Sequence, residues 1–133
     1  MANALYDFGR ENLLGADIDW DASNMRINLL DAADYTRNLA TDDALNDIPA
    51  AARVATSGNL ASKTKTAGTA DAADVTFTLV TGDQSEQVAC YKETGVESTS
   101  LLIANWDTST GLPITPNGAD INVIFNASGL FKI

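Results

Sequence analysis

Apolar and polar side chains alternate with a period of two in several short runs of this chain, the pattern of strands that bury one face. Met25, Arg26, Ile27, Asn28 and Leu29 place an apolar residue at every second position. Val75, Phe77 and Leu79 alternate with Thr76, Thr78 and Val80, Val88, Cys90 and Lys92 with Ala89 and Tyr91, and Ile121, Val123 and Phe125 with Asn122 and Ile124. Arg53 to Thr56, Leu101 to Trp106 and Leu130 to Ile133 predict further strands. Turn residues separate these runs at Gly82 and Asp83, at Thr94 and Gly95, and at Thr110 and Gly111, while Pro113 and Pro116 bracket a bend. Asn126 to Gly129 predicts a tight hairpin into the last strand.

The remaining segments follow other rules. Over residues 1–15, Ala4, Leu5, Phe8, Leu13 and Leu14 recur at loose helical spacing, and Gly15 is placed to end a short helix whose apolar side packs on a sheet or faces a neighbouring subunit. From Asp31 to Ala50 the chain is polar and irregular, with Thr41 placed to cap a short helix whose first turn holds Asp42 and Asp43. Residues 50–68 are rich in Ala, Ser, Thr and Gly around a turn at Ser57, Gly58 and Asn59, and read as a long surface excursion of the kind that often binds partners. One internal echo exists: DAADYTRNLATDD from Asp31 and DAADVTFTLVTGD from Asp71 share Asp, Ala, Ala, Asp, Thr, Leu, Thr and Asp. If the echo is structural, Asp34 to Ala40 is also a strand.

About eight short strands with turns at such intervals predict an all-β fold, a jelly-roll-like β-sandwich of antiparallel strands with a short N-terminal helix. The 133 residues suit one domain, 1–133. Apolar residues make up 45%, many of them alanine, which implies a thin core that oligomerisation or docking would reinforce. No apolar run approaches the ~20 residues of a membrane span, and no basic segment followed by an apolar one opens the chain, so a cytoplasmic site of synthesis and assembly is expected.

Charge and composition remove whole classes of chemistry. Eighteen acids against eight bases give a net charge of −10, which opposes a phosphate backbone and makes nucleic acid an unsuitable partner. With no histidine, Ser98, Ser100 and Ser128 have no base for a Ser-His-Asp mechanism. The lone Cys90 reads as a small buried apolar residue and allows no internal disulfide. Asp17, Asp19 and Asp21 have the spacing that starts a calcium loop, but Ala22 replaces the turn glycine and Asn28 the closing glutamate, so a hydrated acidic turn is the better reading. Carboxylates for glycoside cleavage would come from Asp71, Asp74, Glu86, Glu93, Glu97 and Asp107, none singled out by sequence. Trp20, Trp106, Tyr6, Tyr35 and Tyr91 fit the closed ends of a β core better than a sugar-stacking platform. No cofactor is expected, and an enzyme is the weakest class.

The opening MANALYDFGRENLLGADIDWDASNMRINLLDAADYTRNLATDD, then DIPAAARVATSGNLASKT, DAADVTFTLVTGD and ETGVESTSLLIANWDTSTGLPITPNGADINV, resembles a family of small virion structural proteins of tailed bacteriophages, over nearly the whole chain. The resemblance implies a head decoration, or cement, protein with a jelly-roll-like fold. It would bind the major capsid protein across subunit joints on the capsid exterior, as a dimer or trimer, without membrane or nucleic-acid contact. The contacts expected under that reading are Leu5, Tyr6, Phe8 and Arg10 in the N-terminal segment and Asn59, Leu60, Lys63 and Lys65 in the excursion. A tail-associated or head-to-tail joining protein is the alternative, and a carbohydrate-binding module using Trp20 or Trp106 a more distant one.

Overall fold

Strand β2 (Met25–Leu30) forms where the alternation is strongest, and it is an interior strand of the largest sheet. A computed structural model describes residues 3–133 and orders a five-stranded sheet as β1-β8-β7-β2-β3, where β1 is Ala4–Leu5, β3 Arg53–Thr56, β7 Gln87–Lys92 and β8 Leu102–Trp106. Every neighbouring pair is antiparallel. A three-stranded sheet, order β10-β5-β4, joins β4 (Thr64–Thr66), β5 (Thr69–Asp71) and β10 (Phe131–Lys132), and β6 (Val75–Phe77) pairs with β9 (Ile121–Val123). The protein is therefore mostly β, antiparallel, with one α-helix among the described residues.

Both faces of the large sheet are covered. Met25, Ile27 and Leu29 of β2 and Val88 and Cys90 of β7 pack with Leu60, Ala70, Phe77, Val80, Ile121 and Leu130 from the two smaller sheets and their connections. Ala89 and Tyr91 point to the other side and pack with Tyr6, which follows β1, and with Tyr35, Leu45, Ile48 and Ala52 of the irregular segment 31–52. Strict alternation thus sorts successive residues into two cores.

Helix α1 (Asp7–Leu14) is shorter than the periodicity implies, because Ala4 and Leu5 pair with Asn105 and Ala104 as an edge strand. Residues 1 and 2 of the predicted helical segment lie outside the described residues. The helix packs on β8 through Gly9, where a Cβ would lie 2.7 Å from the Ile103 carbonyl oxygen and 2.8 Å from that of Leu102. Only a residue without a side chain allows that approach. Gly15 ends the helix by donating its N–H to Glu11.

Three further expectations are corrected. Asp34–Ala40 is not a strand: the Asn38 N–H goes to the Asp42 carboxylate, and the Tyr35 and Arg37 side chains turn inward. The helix expected after Thr41 is instead a 3₁₀ turn at Leu45–Asp47, begun by Asp47, whose carboxylate accepts the N–H groups of Asp43 and Ala44. The turn at Asn126–Gly129 forms, but it delivers β10 to β5 instead of folding back on β9. Excursion 50–68 is also more ordered than its composition suggests, because Ser57 and Leu60 donate to Ile27 and Met25 and extend the run of β3 along β2.

Candidate functional site

The N-terminal contact residues divide by burial. Leu5 and Tyr6 are buried in opposite cores and are corrected as partner contacts, since the pairing of β1 with β8 turns both inward. Phe8 and Arg10 remain on the outer side of α1, with Arg10 bound to Asp7 at 2.8 Å and Leu14 81% exposed at the helix end. In the excursion Leu60 is buried and likewise corrected. Asn59 is exposed and accepts a hydrogen bond from Arg26.

The two lysines serve the acidic turn. Lys63 donates to the carbonyl of Ser23, and Lys65 Nζ lies 3.1 Å from Asp21 and 3.5 Å from Asp19. Asp19 also accepts the N–H groups of Ala22 and Asp21, and these bonds, helped by Lys65, hold its carboxyl below the usual range. Two members of the triplet that resembles a calcium loop, Asp19 and Asp21, are thus bridged by an ammonium group of the same chain.

The carboxylates named for glycoside chemistry are engaged locally. Asp71 accepts from Ala72, Asp74 from Phe125, Glu86 from Ala32 and Glu93 from Gly95, while Glu97 binds Arg53 and Asp107 binds Arg37. Trp20 is buried, with its ring nearly perpendicular to that of Phe131, as expected of a residue closing a β core, and it presents no exposed ring face for sugar stacking. Trp106 is half-buried in β8. Burial pushes the Cys90 thiol up to about 12, so it stays protonated and unreactive at neutral pH.

A chain of buried polar groups joins the 31–47 segment to the sheet. Arg37 donates to Asn105 Oδ1 at 2.8 Å and pairs with Asp107 at 2.9 Å, Asn105 donates to Tyr6 and to Gln87, and the Tyr6 and Tyr35 hydroxyls are 2.8 Å apart. Tyr35 gives its proton to Asp42 at 2.7 Å, so the Tyr6 hydroxyl donates to Tyr35. Desolvation raises both phenols above their ordinary value. They are neutral hydrogen-bonding pins, unsuited to proton transfer near pH 7.

One groove brings together residues that pattern alone keeps apart. It has a volume of about 370 Å³ and lies between Val54–Gly58, on the outermost strand of the large sheet, and Thr76–Thr81, on β6 and its continuation. Beyond one end, carboxylate oxygens of Asp31, Asp34 and Asp83 lie within 4.8 Å of one another. Asp31 is there because its N–H bonds to Ala52, just before β3, and Asp83 because it closely follows Thr81. No protein-family model matches this chain, and no curated protein matches it either.

Proposed function

We propose that this chain is a structural protein of a tailed-bacteriophage virion. It acts as a decoration, or cement, protein that binds across joints between major capsid protein subunits on the exterior of the expanded head. The chain-long likeness to small phage virion proteins carries the reading. The geometry supports it in three ways. A sheet buried on both faces is stiff, the short edge strands β3 and β4 leave backbone groups for a lattice partner, and a net charge of −10 delays self-association in solution. The finer architecture proposed is a jelly-roll-like sandwich, which on the lattice forms a dimer or trimer.

A binder that recognises only the assembled lattice stabilises it by mass action, since its site is lost when the shell opens. Among the contact residues named from sequence, Phe8, Arg10, Asn59 and Lys65 remain exposed and stay in the proposal. Quantitative mass spectrometry of purified particles tests it. Hundreds of copies per particle are expected, together with heads that break at lower temperature when the gene is deleted. Absence from particles ends the reading, and about six or twelve copies would move the protein to a ring at the neck or tail.

A further inference from the structure

We propose that the groove between β3 and residues 76–81 is a strand-docking site for an extended segment of a partner polypeptide whose end carries lysine or arginine. The inference stands on the groove alone and holds whether or not the chain belongs to a virion. Two sheet edges border this groove: β3 is outermost in its sheet, and β6 pairs with β9 alone. The bond from the Ser57 N–H to Ile27 fixes the alternation along β3, so the neighbouring Thr56 directs its N–H and carbonyl away from β2. Outward backbone groups on an edge strand are a template for an added strand, with main-chain bonds supplying affinity.

The lining suits a backbone ligand. Thr56, Ser57, Thr76 and Thr78 are small and polar, and leave room for main chain. Leu79 is 74% exposed and held at φ +48° with its N–H bound to Asp120, which leaves an apolar side chain beside the groove to cover an incoming strand.

Charge selects the occupant. Asp31, Asp34 and Asp83 stand together beyond one end, and none of them pairs with a lysine or arginine among the described residues. Like charges this close are relieved by a cation. A second copy of this chain brings a net charge of −10 to the same place and is disfavoured, whereas a segment ending in Lys or Arg is attracted.

The test titrates the full chain, in buffer containing a chelator, with eight-residue peptides of alternating Thr and Val that carry two lysines, or two glutamates, at either end. A lysine-ended peptide is expected to bind at least about tenfold tighter than its glutamate-ended counterpart. Backbone amide shifts should map to residues 53–58 and 76–81. Thr56→Pro, which removes an outward N–H from an edge strand, should abolish binding. Should that variant fold poorly, the exposed pair Asp34→Lys and Asp83→Lys serves instead, and should invert the preference toward the glutamate-ended peptide. Failure of the lysine-ended peptides to bind, equal binding of both kinds, or shifts elsewhere on the surface overturns the proposal. So does an unchanged preference in the charge-reversed variant, binding only when calcium replaces the chelator, or self-association that covers the groove.

Discussion

Asn28 is the residue whose environment least suits it. It is fully buried in β2, an interior strand, and neither of its amide atoms finds a hydrogen-bond partner among the described residues. A buried amide left unpaired costs about 1–3 kcal/mol, and leucine has nearly the same shape without the polar atoms. Asn28→Leu is therefore expected to stabilise the fold by about that amount, read as a higher urea midpoint with unchanged slope. An unchanged or lower midpoint would mean that the amide is satisfied in solution. Gly9 presents the opposite case. Alanine gains about 1 kcal/mol in helix propensity over glycine. Its Cβ, however, would meet backbone atoms of Leu102 and Ile103 at 2.7–2.9 Å, and only movement of the helix off β8 could relieve that contact. Overpacking of this kind typically costs about 1–3 kcal/mol, so Gly9→Ala should lower stability even though alanine is the better helix former. Thermal unfolding of the variant gives the sign directly.

At the scale of elements, the segment 31–47 is held by side chains, where the echo predicts a strand over Asp34 to Ala40. The Tyr6–Tyr35–Asp42 contacts and the Arg37–Asn105 bond replace strand pairing. Tyr35→Phe removes the link that joins Tyr6 to Asp42 and leaves their polar atoms short of a partner, at a cost of about 1–3 kcal/mol. Hydrogen exchange should then accelerate at the amides of 31–47 while those of β7 and β8 stay protected, and uniform acceleration would refute a local pin. The same segment shows where sequence reading works and where it stops. Strands β2, β6, β7 and β9 were legible because apolar and polar residues alternate along them, and β3 and β8 because residues that favour strands collect between turn signals. Ala4–Leu5 is too short to have one, and Thr64–Thr66 is exposed throughout, so neither strand carries a hydrophobic signal. The echo at Asp31 and Asp71 misleads for a different reason. In the first copy Tyr35 and Arg37 are taken into a buried network, whereas in the second Val75 and Phe77 occupy the equivalent places and form β6. The close spacing of Lys63 and Lys65 was visible, but not that their partners are Ser23, Asp19 and Asp21 of the same chain. The cluster of Asp31, Asp34 and Asp83 joins the two copies of the echo in space, which no periodicity reports.

For the molecule as a whole, groups shifted in opposite directions bound the pH range of the folded state. Asp19 is held below the ordinary carboxylate range by backbone N–H groups, and Glu97 by its bond to Arg53. A depressed carboxyl contributes stability that is present above its unfolded value, about 4, and lost as pH falls through the lower folded value. Asp43, raised by partial burial beside Asp47, works weakly against this limb. At the alkaline side Cys90 rises from 9.0 to about 12 by desolvation, and Tyr91 from 10.0 to about 12. The folded chain keeps these protons while the unfolded chain releases them, so their contribution is intact below about pH 8.5 and is lost as pH climbs toward 12. For the fully buried thiol, a shift of this size at about 1.4 kcal/mol per unit is on the order of 4 kcal/mol. The urea midpoint is therefore expected to plateau between about pH 5 and pH 8 and to fall on both sides. Cys90→Ala should lower the plateau through a small cavity yet flatten its alkaline limb, and Lys65→Met should leave the alkaline limb unchanged and weaken the acid limb only slightly, because the N–H groups of Ala22 and Asp21 still hold Asp19. Midpoints of the three proteins measured from pH 3 to 11 separate these effects. An alkaline limb as steep in Cys90→Ala as in the parent would assign that side of the profile to the tyrosines.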